Sequence, residues 1–325
     1  MCPKVMRVKR VNDLRYRIDN PPCQGISSQK KFQVSKESSD MATSLSSLST
    51  LQFEKLKPSD PLPVLFVGHG SPMNAVTDNE YRRSWQALGA RFGTDWPMPQ
   101  LILCISAHWL TEGWWLTAMA QPKTIHDFGD FPQELFDQQY PAPGAPKAAA
   151  EISRAVRQRM SLPLGLDSSW GFDHGAWSVL KPMFPKADVP VVQLSMDYSR
   201  APSEHYALAR QLKALRRRGV LIVASGNVVH NLQQAQRGAA SNQAYDWALE
   251  FDQTIGGYVQ QGRLDALQNF QKLGSLATMA HPTYEHLLPL LYAAGAVDSG
   301  EPMKFFNTSF QLASISMRSM IWGEM

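Results

Sequence analysis

Apolar runs alternate with helix-type patterns from residue 63 onward, and this alternation predicts the fold. Runs typical of strands buried on both faces lie at 63–68, 101–108, 189–197 and 220–226. Further strand-like segments lie at 114–120 and 303–322, and helical spacing recurs near 78–92, 147–160, 204–219, 243–260, 263–272 and 284–294. Strands that alternate with helices predict an α/β fold, with a central, mostly parallel or mixed sheet flanked by helices.

Three of the strand-like runs lead to a histidine, although the chain has only 8 histidines. His69 follows the first run, His108 ends the second, and His230 comes shortly after the run at 220–226. In open α/β sheets, ligands bind outside the carboxyl ends of the strands, so these rings are expected to meet at one edge. Neutral imidazole is the commonest metal ligand in proteins, so we expect a metal site there, which Asp197 could join.

Composition narrows the class of protein. The 325 residues are 44% hydrophobic, enough for a large core, and the net charge of +4 is too small to indicate nucleic acid. No apolar stretch approaches the roughly 20 residues that cross a bilayer, so no membrane partner is expected. The 3 cysteines show no CxxC spacing, which favours a reducing, cytoplasmic location.

Residues 1–50 differ from the rest of the chain. They are first basic and then rich in serine, without helical or strand periodicity and without the apolar core of a secretory signal. Such composition favours a disordered N-terminal extension, with Met41 an alternative start of the chain. The sequence therefore predicts one catalytic domain at 60–325.

A second cluster of candidate ligands lies near the C-terminus, in AHPTYEHLLPLL. The proline after His281 suits the first turn of a helix, which would place His281 and Glu285 on one face and His286 about 100° further round. At least one of these side chains should face the core beside the leucines that follow. This cluster could complete a metal site with His69 and His108.

Two aromatic segments carry the remaining candidates. WGFDHGAWSVL sets His174 in a turn bounded by glycine, and TIHDFGDFP places His126 beside an aspartate and a phenylalanine. Both resemble loops that line an aromatic substrate pocket, with an imidazole available for proton transfer. For His126 a purely structural role is equally compatible with the pattern. A serine hydrolase is not favoured, because G-x-S-x-G is absent and Ser71 and Ser225 lack the context of a nucleophile.

Eight motifs in a fixed order resemble the class III extradiol ring-cleaving dioxygenases, in particular their DOPA 4,5-dioxygenase-like branch. They are GHGSPMNA, SAHW, TIHDFGDFPQELF, YPAPGAP, WGFDHGAW, PVVQLSMD, ASGNVVHNL and PTYEHLLPLLYAAGA, and they span roughly residues 60–322. The resemblance implies an α/β fold with one metal ion at the carboxyl edge of the sheet. It also implies a catechol substrate such as DOPA, opened by dioxygen at the 4,5 position to 4,5-seco-DOPA.

The resemblance also implies roles for single residues. His69, His108 and His286 match the metal ligands, and His230 matches the histidine that acts as acid and base, which is also counted as a ligand. His174 matches a catalytic pocket histidine that stabilises the bound oxygen or substrate. His126 and His281 are candidates for substrate binding, and Trp109, Trp170, Phe128 and Trp177 are candidate walls for the ring.

Alternatives stay open for the identity of the metal and for the class of reaction. Iron(II) is implied for ring cleavage, whereas a third histidine in place of the carboxylate common in this class suits zinc equally well. A zinc hydrolase with a metal-activated water would use the same histidines. A protein that binds metal or aromatic compounds without turnover would need neither His230 nor His174 as a proton carrier. The chain could be a monomer or a homodimer.

The composition of residues 1–50 generates a prediction about stability. A chain that begins at Met41 should keep the melting temperature and the activity of the full chain, because the polar, aperiodic segment has few residues that a core could bury. Thermal unfolding and ring-opening assays of the two chains check this. Loss of soluble expression on truncation would show that the segment packs on the domain.

Overall fold

A computed structural model describes residues 56–160 and 162–323, so the predicted extension at 1–50 lies outside the described residues. Within the described part, an eight-stranded sheet has the order β4-β3-β5-β2-β6-β1-β10-β7, and β8 pairs with β9. The strands are β1 (Val64–Gly68), β2 (Leu101–Thr111), β3 (Trp114–Thr117), β4 (Leu164–Asp167), β5 (Val191–Asp197), β6 (Val220–Gly226), β7 (Met303–Phe306), β8 (Phe310–Gln311), β9 (Ile315–Ser316) and β10 (Ser319–Trp322).

The described helices cover both faces of this sheet. They are α1 (Glu80–Gly89), α2 (Gln133–Phe136), α3 (Pro146–Met160), α4 (His174–Met183), α5 (Pro202–Leu212), α6 (Asp246–Gln260), α7 (Ser275–Ala280) and α8 (Leu288–Gly295). Short 3-10 segments lie at Pro72–Ala75, Lys213–Arg218, Leu232–Gln234 and Leu264–Leu273. None of the helices in 56–160 and 162–323 is long and apolar enough to cross a membrane.

The four central strands β5, β2, β6 and β1 run parallel to one another. At one edge of the sheet, β10 pairs antiparallel with β1 on one side and with β7 on the other. Successive residues of β1 enter different cores: Val64 and Phe66 pack with α5 and α8, and Leu65 and Val67 pack with α1 and α4. A strand buried on both faces has no polar side to show, which explains its continuous apolar sequence. The predicted α/β fold with a mostly parallel sheet is confirmed.

Parallel strands also confirm the predicted meeting point of the histidines. His69 directly follows β1, while His108 lies inside β2, where the pairing with β5 changes register between Ile105 and Leu110. A register change of this kind re-aims a side chain beside a site. His230 lies beyond the end of β6 and forms an isolated bridge with Ile315.

Asp197 does not join them, although it ends β5 at the same edge. Its carboxylate accepts hydrogen bonds from the hydroxyl of Ser199, at 2.6 Å, and from Nε of Arg200, at 3.3 Å.

The helix start predicted after His281 and the turn predicted at His174 are both wrong. The segment 281–287 forms turns rather than a helix, and α8 begins at Leu288 with Pro289 in its first turn, so Pro282 was the wrong proline. His281 is instead the residue that caps the C-terminus of α7. His174 does not sit in a turn but begins α4, because the carboxylate of Asp173 accepts the backbone N–H of Ala176 and caps the helix.

Two other predicted helices differ in their type. The segment at 204–219 is α-helical only to Leu212 and continues as a 3-10 helix, and 263–272 is a 3-10 segment kinked at Asn269. Helical spacing of apolar residues does not separate these two helix types over one or two turns.

A candidate metal centre at the carboxyl edge of the sheet

Three imidazole rings converge where β1, β2 and β6 end. The ring centroids of His69, His108 and His286 lie 5.0–5.3 Å apart in every pairing. One nitrogen from each ring lies within 4.8 Å of one nitrogen from each of the others. His69 and His286 are buried, and His108 is partly buried. The sequence placed His69 and His108 at this edge, and the turn at 281–287 brings His286 to them.

Close backbone approach at two glycines makes this convergence possible. A Cβ on Gly175 would lie 2.8 Å from Cδ2 of the His108 ring, so only glycine lets the first turn of α4 pack against that ring. A Cβ on Gly226 would lie 2.2 Å from the carbonyl oxygen of His286. That carbonyl accepts the backbone N–H of Asn227 at 2.8 Å, which ties the 281–287 turn to the end of β6.

Each of the three rings turns its Nδ1 to an acceptor. Nδ1 of His69 lies 3.0 Å from the hydroxyl of Ser225, Nδ1 of His108 lies 3.4 Å from Asp127 Oδ2, and Nδ1 of His286 lies 3.0 Å from Glu285 Oε1. Ser225 donates its only hydroxyl proton to the carbonyl oxygen of Gly175 at 2.5 Å, so it must accept from His69. Carboxylates only accept, so the hydrogen bond to Glu285 places the proton of His286 on Nδ1, and the negative charge of Asp127 favours the same tautomer for His108.

The Nε2 lone pairs therefore face the interior of the cluster. Nε2 of His69 and Nε2 of His108 are 3.2 Å apart, and Nε2 of His286 is buried without a hydrogen-bond partner among the described residues. Two nitrogens held about 2.1 Å from one tetrahedral ion are themselves about 3.4 Å apart. Lone pairs that face each other at this distance repel unless a cation lies between them, so the arrangement fits a metal ion.

The charge state of the rings fits the same conclusion. Burial, and then the neighbouring rings, hold the pKa of His69, His108 and His286 well below the usual value for histidine. Metal ligands must be neutral imidazoles, so these rings are already in the binding form near neutral pH.

His230 lies beside the three rings but belongs to a different group of candidate metal ligands. Its ring stacks on His286 with 3.5 Å between centroids and 6° between planes, and it shares a second candidate group with Glu285 and His286. Its backbone N–H donates to the carbonyl of Ala280 at 3.0 Å. Burial and the adjacent His286 hold the pKa of His230 below its usual value. A neutral ring in this position can accept a proton.

His174 differs from the other rings because it has an anion beside it. Its ring centroid is 3.8 Å from that of His108, and its Nδ1 lies 3.0 Å from Asp127 Oδ1. Burial lowers the pKa of His174, but the attraction of Asp127 outweighs it and the pKa is raised. Sequence reasoning found His174 but missed Asp127 as its partner.

The other two candidate histidines already use one ring nitrogen each. Nε2 of His126 lies 2.9 Å from the carbonyl of Gln138, and Nε2 of His281 lies 2.8 Å from the carbonyl of Val228. Burial lowers the pKa of His281 to about 4. Neither residue belongs to the candidate metal groups of the described chain.

The four candidate wall residues divide between site and core. Phe128 meets His174 edge to face at 5.5 Å, so it borders the cluster. Trp109 and Trp170 stack on each other at 5.5 Å, and Trp177 is fully buried and donates to the carbonyl of Ile125. Trp177 is therefore part of the core.

The chain is similar to known proteins over most of its length. Residues 63–319 match the family model described as the catalytic LigB subunit of aromatic ring-opening dioxygenase. The chain is 46% identical to a 4,5-DOPA dioxygenase extradiol of Escherichia coli K12, over 82% of this chain and 96% of that one. It is 35% identical to the protein of that name from Portulaca grandiflora, over 74% and 87%.

A solved structure is also similar. The crystal structure of an uncharacterised protein of Escherichia coli K12 matches with a TM-score of 0.67 and 41% identity, over 81% of this chain and all of that one.

The hydrogen bonds of Ser225 generate a prediction about stability. Ser225→Ala leaves the His69 Nδ1–H and the Gly175 carbonyl without their partner, which should lower the free energy of unfolding by about 1–3 kcal/mol. Urea unfolding of the metal-free protein measures this. Ser178→Ala is the matched control, because Ser178 is equally buried but its hydroxyl has no partner among the described residues, so its loss should cost little. Equal effects of the two changes would contradict the prediction.

Proposed function

The chain belongs to the LigB family of aromatic ring-opening dioxygenases, and on this basis we propose that it opens a catechol of the DOPA type between ring carbons 4 and 5. The family fixes the reaction class, extradiol ring cleavage with dioxygen. The narrower substrate rests on the names of relatives that share most of their length with this chain. The product would be 4,5-seco-DOPA, which retains both atoms of dioxygen.

We propose His69, His108 and His286 as the ligands of the metal on which this family depends. The single observation that carries the proposal is the convergence of three Nε2 lone pairs, each set by an acceptor at Nδ1. When bound, iron(II) would supply the redox chemistry that ring cleavage by dioxygen needs, whereas zinc fits the same neutral nitrogens without redox activity. Iron(II) is therefore proposed for turnover, with zinc able to occupy the site.

His230 is proposed as the acid and base. It stacks on His286 rather than completing the group of His69, His108 and His286. Burial and His286 lower its pKa, so the ring is neutral, and its nitrogen lone pair can take the proton of a catechol hydroxyl that a bound metal would make more acidic. The same ring can return the proton as the ring opens. The resemblance also counts His230 as a metal ligand, but the geometry of the three other rings does not require it as one.

His174, His126 and His281 are proposed to bind substrate. Asp127 raises the pKa of His174 and so favours its protonated form, which can donate a hydrogen bond to an oxygen that gains negative charge. His126 and His281 each have Nε2 at a backbone carbonyl, so each can offer a substrate only its Nδ1. For both, binding of substrate stays a prediction.

The zinc hydrolase alternative would use the same histidines, and the family match is what favours ring opening over it. A serine hydrolase gains nothing from the structure. Ser225 is close to His69, but its hydroxyl is fully buried and already donates to Gly175, so it cannot act as a nucleophile. The cytoplasmic location and the choice between monomer and homodimer stay predictions. The proposed partners are a small catechol and dioxygen, without nucleic acid or membrane.

Anaerobic loading with iron(II), followed by a panel of catechols in air, tests the proposed function. Oxygen uptake with formation of a yellow semialdehyde is expected for DOPA and related catechols. The zinc-loaded protein and the monophenol tyrosine serve as controls and should give neither signal. Failure of the iron-loaded protein to consume oxygen with any catechol, together with ester or amide hydrolysis by the zinc-loaded protein, would contradict the proposal.

Alanine variants separate metal binding from proton transfer. His69→Ala and His108→Ala should lose the metal, measured as metal per chain, because each removes one of three nitrogen ligands. His230→Ala should keep most of its metal but lose about 10²–10⁴-fold in ring opening, the usual contribution of a positioned proton carrier. If His230→Ala loses metal as fully as His69→Ala, His230 is a ligand and another residue must move the proton.

A further inference from the structure

One carboxylate contacts two histidines of the site. Asp127 lies in the loop between β3 and α2, and its side chain is 19% exposed. Its Oδ1 accepts the backbone N–H of His174 at 2.8 Å and lies 3.0 Å from Nδ1 of the same residue. Its Oδ2 lies 3.4 Å from Nδ1 of His108. The two oxygens therefore have different partners.

The carboxylate can act on the rings only as an acceptor. Its Oδ1 accepts a backbone N–H, and an aspartate carboxylate is ordinarily ionised near neutral pH, so it has no proton to donate. Its negative charge, 3.4 Å from Nδ1 of His108, favours a proton on that nitrogen and leaves Nε2 to face His69.

We propose that Asp127 is a positioning residue, which holds His108 in the ring orientation and tautomer that bind metal through one oxygen and anchors His174 through the other. This inference rests on the proposed assignment of His108 as a ligand. Outer carboxylates that accept from a ligating histidine fix the ring and raise its basicity, and their loss typically weakens metal affinity 10–100-fold.

The backbone anchor makes Asp127→Asn a specific test. The N–H of His174 needs an acceptor, so the amide oxygen of asparagine would take the place of Oδ1. The amide NH2 would then take the place of Oδ2 and point a donor at Nδ1 of His108. That donor favours the other tautomer, in which Nε2 carries the proton and cannot bind metal. The start of α4 keeps its hydrogen bond, so the fold should be retained.

Zinc affinity of the full chain, measured by competition with a chelator in the absence of catechol, gives the readout. Asp127→Asn should bind zinc about 10–100-fold more weakly than the wild type. Asp130→Asn is the matched control, because it makes the same change of charge at an exposed position in the same loop, and it should bind as the wild type does. Thermal unfolding of the metal-free variants checks the fold, and Asp127→Ala replaces Asp127→Asn if the latter unfolds.

A second background separates positioning from a general effect on stability. His108→Ala should lose its metal on purification, but its residual affinity can be measured by direct titration with zinc at higher concentrations. In that variant, adding Asp127→Asn should weaken zinc binding no further, because the ring on which Asp127 acts is gone. A further tenfold loss would overturn the inference. Wild-type affinity in Asp127→Asn, while His108→Ala loses zinc, would overturn it and leave the ligand set intact. Wild-type affinity in His108→Ala would overturn the ligand set and this inference together.

Discussion

In each of the three rings proposed as ligands, a proton on Nδ1 leaves the lone pair on Nε2, and the whole candidate site depends on this constraint. Ser225, Asp127 and Glu285 each present an acceptor to one ring, and the three acceptors come from three different segments. With the tautomers set in advance, three neutral nitrogens face one point in a buried space. Without a cation, this arrangement leaves buried nitrogen lone pairs unpaired, which costs free energy that binding of a metal ion would recover.

The parallel sheet supplies the frame in which these acceptors can meet. The carboxyl ends of β1, β2 and β6 lie side by side, and Gly175 and Gly226 let the start of α4 and the turn after α7 approach them closely. The C-terminal segment also holds the loop that carries His230. Ser316 donates its backbone N–H to the carbonyl of Val229, and Ile315 bridges to His230. His230, the proposed acid and base, is thus held by a different segment from the proposed ligands.

Much of this could be read from the sequence, for a physical reason. Apolar strands and the histidines after them are local patterns, so the sheet, its parallel core and the positions of His69 and His108 were predictable. His286 was reached through its motif and not by geometry. The start of α8 was placed too early because a proline after His281 resembles a helix start, whereas Pro289 is the one in that position.

The acceptors could not be predicted, because they depend on contacts between distant segments. Asp127 and His108 come together only when the loop after β3 folds over the start of α4, and no spacing in the sequence records this. The sequence pattern around Ser225 can be tested only for a nucleophile, because its hydrogen bonds to His69 and Gly175 exist only in the folded chain. The tautomers, and with them the choice of ligand nitrogens, therefore needed the structure.

Anomalous diffraction from crystals of the zinc-loaded protein tests the central claim most directly, because it locates the ion without reference to turnover. One ion is expected about 2.1 Å from Nε2 of His69, His108 and His286, with His230 outside bonding distance. An ion bound instead by His230, Glu285 and His286, or by His108, Asp127 and His174, would contradict it.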